Sequence, residues 1–339
     1  MKKIIIILSL IPCLAVAQQK PKYTQYIINN YIINPAITGI ENYTDIKLSH
    51  RRQWVGLDDA PVSSYFTAHT PLGKKDEKLT STSYAKDGVN LRGKQYWDEY
   101  EASPAHHGVG IQIVNDRTGP LQNTGAMATY AYHIGLTPKL NLSAGVGIGV
   151  NTITLNTSKL FFGTDFPVDP AVSQNGLINK AKVDANIGVW LYSNTYFFGV
   201  SAQQIVPSKI DYSNNIVKQT EGKQVPHIFA TAGYRIQLND DISILPSTMV
   251  KYVSPAPVQI DANLKAQYQD LIWAGVNYRF SYGASAFVGV NAMNRVTISY
   301  AYDYTTTKIN TVSKGTHEII LGFTIGNKYN TNTCPSRVW

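Results

Sequence analysis

Val183-Asp184-Ala185-Asn186-Ile187-Gly188-Val189-Trp190-Leu191 decides the fold, because Val183, Ala185, Ile187, Val189 and Leu191 share one face of an extended chain. Asp184, Asn186 and Gly188 fall on the other face, since successive side chains of a strand point to opposite sides. After the turn Ser193-Asn194 the alternation returns, with Tyr196, Phe198, Val200 and Ala202 set against Gly199, Ser201 and Gln203. The two stretches form a hairpin.

The same period of two recurs along the chain. It is read at 228–236, 260–268, 272–280, 284–290, 296–304 and 319–325, and toward the amino end at 44–54, 62–70, 108–117, 123–135 and 139–151. Residues 241–253 supply one more, for about 14 strands in all. Segments of this length, apolar on one face and small or polar on the other, predict an all-β antiparallel transmembrane barrel. The 22 tyrosines support a lipid-facing wall. Tyr130, Tyr132, Tyr192, Tyr196, Tyr300, Tyr302 and Tyr304 are read as aromatic girdles at headgroup level, where an amphipathic ring is at home.

The ends bear on location. Met1-Lys2-Lys3, an apolar run over 4–14 and Ala15-Val16-Ala17 form a secretory signal with cleavage before Gln18. Pro12 disfavours a lipoprotein reading at Cys13. Nothing later approaches the ~20 continuous apolar residues of a spanning helix. The expected layout is a signal peptide at 1–17, an amino-terminal periplasmic or plug segment at 18–43, the barrel at 44–326 and a periplasmic tail at 327–339. Cys334 alone survives cleavage, which excludes a disulfide framework.

Loop lengths give an orientation. With Gln18 starting in the periplasm, short turns at Thr137-Pro138, Ser193-Asn194, Asn239-Asp240, Gln269-Asp270 and 292–294 lie on that side, and long connections at 152–180, 205–225 and 305–315 lie outside. The polar stretch 73–107 breaks this pattern. It is either a periplasmic contact element or the sign of a missed strand.

The formal net charge of +8 comes from dispersed Lys and Arg with no nucleic-acid motif, so the basic residues are read as loops facing anionic lipid rather than nucleic acid. On the lumen face, Asp184, Arg235, Lys251, Asp261, Lys265, Arg279 and Asp303 form a candidate charge network, pairing across the interior or lining a pore. Small inward residues such as Gly147, Gly149, Gly275 and Gly289 suit a crowded lumen or wall curvature. His106-His107 is read as a surface loop doublet, and with no Cys or third His at ligand spacing no metal site is expected. His133, His227 and His317 are catalytic candidates in type, but no nucleophile motif accompanies them. Neither an enzyme nor a cofactor is expected.

Before the first strand comes Tyr23-Thr24-Gln25-Tyr26, then Asn34-Pro35-Ala36 and Gly39. Further on are Arg52-Gln53-Trp54 with Gly56 and Ala60-Pro61, then Asn115-Asp116 with Gly119-Pro120, and Leu245-Pro246-Ser247. Leu271-Ile272-Trp273-Ala274-Gly275 leading to Tyr278-Arg279, His317-Glu318 and Cys334-Pro335 complete the series. In order and spacing this resembles the PorP/SprF family of type IX secretion, with Gln25, Tyr26, Asn34, Pro35, Ala36, Gly39, Arg52 and Trp54 carrying the motif. The resemblance implies an outer-membrane barrel of the secretion and gliding machinery. It implies as partners a secreted surface adhesin, held through its C-terminal secretion domain, and other periplasmic secretion components. It implies no catalytic residues. The alternative from the polar lumen is a passive porin. Pro35 keeps Asn34 out of helix, and the polar, Tyr-rich segment around it is read either as a plug at the periplasmic mouth or as a tether.

Overall fold

Residues alternating between lipid and lumen close into a ring. The computed structural model describes residues 23–74, 100–160, 177–207, 209–210, 222–239, 241–268, 271–292 and 295–326. In chain order the wall strands are β1 (Thr44–Arg52), β2 (Val62–Leu72), β3 (His106–Thr118), β4 (Leu121–Thr137) and β5 (Leu140–Asn156). Then follow β6 (Leu177–Tyr192), β7 (Tyr196–Gln203), β8 (His227–Tyr234), β9 (Ile242–Tyr252) and β10 (Gln259–Tyr268). The ring ends with β11 (Ile272–Arg279), β12 (Gly283–Ala292), β13 (Val296–Thr305) and β14 (Thr316–Ile325). Each pairs antiparallel with its neighbour, and β1 pairs with β14 from Thr44 opposite Ile325 to Arg52 opposite His317. The barrel is closed, with 14 strands and no open edge.

The burial of β6 follows its alternation: Val183, Ile187 and Val189 are exposed to the outside, whereas Asp184, Asn186 and Trp190 are buried inside. The parity that turns Val183 outward turns Tyr192 inward, so Tyr192 belongs to no girdle. It is buried and meets His133 Nδ1 through its hydroxyl at 3.0 Å. Tyr130, Tyr132, Tyr196, Tyr300, Tyr302 and Tyr304 do lie on the outer face. Val276, in the middle of β11 and 56% exposed, marks the apolar belt. Replacing it with arginine is expected to lower stability by about 2–4 kcal/mol, the cost of a cation at mid-bilayer. The denaturant midpoint in lipid checks this against Val276→Leu.

Several elements differ from the reading of the sequence. β3 begins at His106, so the histidine doublet is strand and not loop: His106 points inward and stacks on His133 with ring centroids 4.5 Å apart, while His107 points outward beside Tyr130. β5 and β6 run further outward than alternation suggested, which shortens their connection to 157–176. β2 pairs directly with β3 from Val62 opposite Arg117 to Leu72 opposite His107, so no wall strand was missed between them. The described part of that connection packs at the turn end, where Ala102 N donates to Pro138 O at 2.7 Å and Asn141 Nδ2 donates to the buried Tyr100 hydroxyl at 3.0 Å. The expected signal sequence at 1–17, residues 18–22, Asp240, the turn residues 269–270 and 293–294, the middle of the long connections and the tail with Cys334 lie outside the described residues.

Both ends of the ring, at Thr44 and Ile325, share the end of the barrel that carries the short turns. By the asymmetry of such barrels this end is periplasmic and the end with the long loops is external. Externally, Lys159 Nζ donates to Asp59 Oδ1 at 2.5 Å, tying the β1–β2 loop to the β5–β6 loop. That hydrogen bond and the lysine charge hold the Asp59 carboxyl below its ordinary range.

Candidate functional site

The sequence Ile27-Ile28-Asn29-Asn30-Tyr31-Ile32-Ile33-Asn34-Pro35-Ala36-Ile37 has no period of two, so it cannot join the wall. It folds as tight turns and two short 3-10 helices, Asn30–Ile32 and Pro35–Ile37. These lie inside the barrel. Tyr26, Ile27, Ile28, Tyr31, Ile32, Ile33, Ala36, Ile37 and Ile40 are all buried, in one cluster with Trp190, Phe197, Phe229, Leu245, Met249, Trp273 and Phe287 of the wall. Although rich in polar residues, the segment carries the apolar half of the lumen core, because burial removes six isoleucines from water.

The described part of the segment starts far from the periplasm. Thr24 N donates to Glu318 Oε2 at 3.0 Å, and Thr24 Oγ1 donates to Asp303 Oδ2 at 2.6 Å. Arg51 donates to Thr24 Oγ1 at 2.5 Å, to Glu318 Oε2 at 2.9 Å and to Asp303 Oδ2 at 2.5 Å. Arg51, Asp303 and Glu318 stand at the external ends of β1, β13 and β14, so Thr24 sits there too, contrary to the expected periplasmic start. From Thr24 the plug descends, and Gly39, at φ +77, reaches the periplasmic rim, where a Cβ would lie 2.4 Å from Gly108 Cα.

Asn34-Pro35-Ala36 forms the middle anchor. Asn34 Oδ1 caps the second short helix by accepting from Ala36 N at 2.9 Å. Its Nδ2 donates to the carbonyls of Val189 at 3.1 Å and Val200 at 3.3 Å. Ser143 Oγ donates to Ala36 O at 2.7 Å, and Ser201 Oγ donates to Ile33 O at 2.6 Å. Glycines let the backbones meet: a Cβ on Gly145 would lie 2.5 Å from Ala36 N and Pro35 C, and one on Gly188 2.0 Å from Asn34 Oδ1. Gly275 and Gly289 make room instead for the rings of Phe287 and Trp273, and Gly147 and Gly149 for Met127 and its neighbour's backbone.

All seven residues of the expected charge network are buried on the lumen side. Asp261 and Arg279 are brought together, with Nε at 2.9–3.0 Å from the carboxylate and NH2 at 2.8 Å. Asp303 instead joins Arg51 and Glu318. Asp184 lies on β6, Lys251 on β9 near the Phe229 ring, Lys265 on β10, and Arg235 just after β8. Sequence reasoning missed Arg51, Glu318 and Thr24, and also the buried ion pair of Lys47 with Asp45, which His69 Nε2 approaches at 3.6 Å. The alternation of 44–54 held the signal for three of these, since Asp45, Lys47 and Arg51 share the inward parity.

Of the motif residues, Gln25, Tyr26, Asn34, Pro35, Ala36 and Gly39 are all in the plug. Gln25 Nε2 donates to Glu318 O at 3.2 Å, and Ser299 Oγ donates to Gln25 Oε1. Arg52 points outward at the end of β1, and Trp54 is in the external loop, where its N donates to Thr316 Oγ1 at 3.1 Å. His133 is in β4, where its Nε2 donates to Thr38 O at 2.8 Å, while His227 starts β8 and His317 is outward on β14 beside Tyr300. They stand on separate walls. Among the described residues no group of three His, Cys, Asp or Glu is placed to hold a metal. Between Tyr23 and Ile32 of the plug and the wall, a cavity of about 60 Å³ is bounded by Gln112, Asn151, Asp184, Asn186 and Gln204.

Solved structures similar to the chain include the toluene transporter TbuX of Ralstonia pickettii, at 11% identity over 87% of this chain and 92% of that one with a TM-score of 0.49. A FadL homologue of Pseudomonas aeruginosa is similar at 10% identity over 86% and 91% with a TM-score of 0.45, and Acinetobacter baumannii Omp33 at 8% over 85% and 100% with a TM-score of 0.45. No function is carried over from likenesses this distant. No curated protein matches the chain in sequence. The model of one family, described as type IX secretion system membrane protein PorP/SprF, matches residues 15–323, and the chain belongs to that family.

Proposed function

From the premise that this is an outer-membrane barrel of the type IX secretion family PorP/SprF, we propose that it is a non-enzymatic holder of a secreted surface protein. It assists that protein's export and anchors it through its C-terminal domain. The observation that carries the reading is the filled lumen: residues 23–43 occupy the interior from the external ends of β1, β13 and β14 to the periplasmic rim. A wall built around its own amino-terminal segment is a scaffold, and its external loops are the surface it offers to a partner.

Deleting the chain from its source bacterium is expected to strip at least one large surface protein from the cell exterior while outer-membrane levels of other barrels stay unchanged. Quantitative proteomics of shaved surface peptides measures this, together with co-purification of that protein with the tagged barrel. An unchanged surface proteome with no co-purified surface protein would overturn the reading. Liposome swelling addresses the porin alternative: a porin passes arabinose, whereas the plugged barrel excludes it.

A further inference from the structure

The outward face of the wall is almost free of charge. Among the described residues, the outward positions of the wall strands carry two charged side chains besides histidines, Arg52 on β1 and Arg117 on β3, and no Asp or Glu. Both arginines are exposed, and both stand at the external ends of their strands. They are also neighbours. Arg52 pairs with Val62 of β2, and Val62 pairs with Arg117, so the two flank one small apolar side chain in a single row across the sheet. His317 of β14 and Gln122 of β4 extend that row on either side.

The next outward row, two residues nearer the periplasm, is polar but uncharged in its centre, with His50, Ser64, Asn115 and Thr124. Its groups are already ordered. His50 Nδ1 and Ser64 Oγ are 2.9 Å apart, and Asn115 Oδ1 accepts from Gln122 Nε2 at 3.0 Å and from Thr124 Oγ1 at 3.1 Å. With its oxygen taken up, the Asn115 amide offers its N–H donors to whatever lies outside. The third outward row is wholly apolar: Leu321, Leu48, Phe66, Ile113 and Ala126. From the external end toward the periplasm, one side of the barrel therefore presents guanidinium groups, then neutral donors, then hydrocarbon.

That order is the order of a lipid, headgroup first and acyl chains after. A guanidinium has five donors and no acceptor, and its planar fork matches a phosphate through two parallel hydrogen bonds. Two strand spacings set the Arg52 and Arg117 Cα atoms about 10 Å apart, so both side chains can reach one group seated over Val62. Two like charges placed so closely favour an anion between them. The acid of the adjoining loop that feels Arg117 is Asp59, and it is already hydrogen-bonded to Lys159 Nζ, with Arg117 acting on it through charge alone. The external end is also where a cation on the lipid face costs least.

We propose that Arg52 and Arg117 hold the phosphate headgroup of an outer-leaflet lipid, with Asn115 as a further donor and the acyl chains lying over Leu48, Phe66 and Ile113. The site lies beside the seam where β1 meets β14. It is a property of the outer wall and is independent of whether a secreted protein is bound outside.

Native mass spectrometry of the purified barrel in dodecyl maltoside, with diphosphoryl lipid A added as the probe, is expected to show lipid retained on the protein, and far less retention of phosphate-free lipid A. Arg52→Gln combined with Arg117→Gln is expected to weaken retention at least about ten-fold, as loss of both charged forks does. Lys139→Gln combined with Lys308→Gln removes equal charge from a turn and a loop, and is expected to leave retention unchanged. Folding of each variant is read from its heat-dependent gel mobility, and if the arginine variant does not fold, the wild-type comparison of the two lipids decides alone. Equal retention of both lipids, full displacement by inorganic phosphate, retention unchanged in the folded arginine variant, or an equal loss in the lysine variant would each overturn the proposal. So would a wild type that retains no lipid, the result expected if a neighbouring protein covers this face instead. None of these readings bears on the surface-proteome test above, so the two fail separately.

Discussion

Replacing Arg51 with methionine is expected to destabilise the barrel by about 3–5 kcal/mol, the cost of stranding buried carboxylates without their cation. Arg51 is 2% exposed and binds Asp303, Glu318 and Thr24 at once. Its methylene stem is replaced in volume by methionine, so the loss is electrostatic rather than a cavity. Adding Glu318→Gln and Asp303→Asn to Arg51→Met removes the stranded charges and is expected to recover more than half of the loss. Denaturant midpoints of the three proteins in lipid measure this. A single Arg51→Met protein as stable as wild type would show that the charges are solvated and the site is open.

The second large effect comes from the smallest residue. Gly145→Val puts a side chain where Ala36 N and Pro35 C already stand within 2.5 Å of any Cβ. Both obstacles are backbone, so a rotamer change gives no relief, and the Asn34-Pro35-Ala36 anchor has to leave the wall. The strand ladder of β5 with β4 and β6 does not depend on that contact, and the barrel is expected to remain folded. Its arabinose influx in liposome swelling is expected to rise about ten-fold or more, toward the behaviour of an open polar barrel. Ala144→Val, on the lipid face of the same strand, is the control and leaves influx at the wild-type level. A folded Gly145→Val protein that still excludes arabinose would mean that the anchor does not seal the lumen.

Much of the wall is legible in the sequence because period two states directly which side chains face lipid. Val183 and Asp184 sort themselves, and so do Ile260 and Asp261. What stands across the lumen is not legible, since alternation gives a face and no partner. Arg51 meets Glu318 only because β14 closes on β1, 267 residues along the chain. The plug is harder still. A short apolar run without period 2 or 3.6 carries no signal of where it packs, and the isoleucines between Ile27 and Ile40 lie in turns and 3-10 pieces. The asparagines and tyrosines among them gave the segment a polar appearance. Pro35 and Asn34 did announce a turn, though not that its carbonyls and amides would be met by β5, β6 and β7.

The meeting of Thr24 and Gln25 with Glu318 and Ser299 has a consequence for biogenesis. The segment before the first wall strand and the last two wall strands share one buried cluster, separated by up to 294 residues of sequence. The plug cannot be fully seated before β13 and β14 are in place, because these strands supply the sockets that hold its first described residues. Seating of the amino-terminal segment therefore depends on the last strands of the wall, and closing so long a loop makes it slow. A chain arrested before its last hairpin has neither a finished wall nor a filled centre.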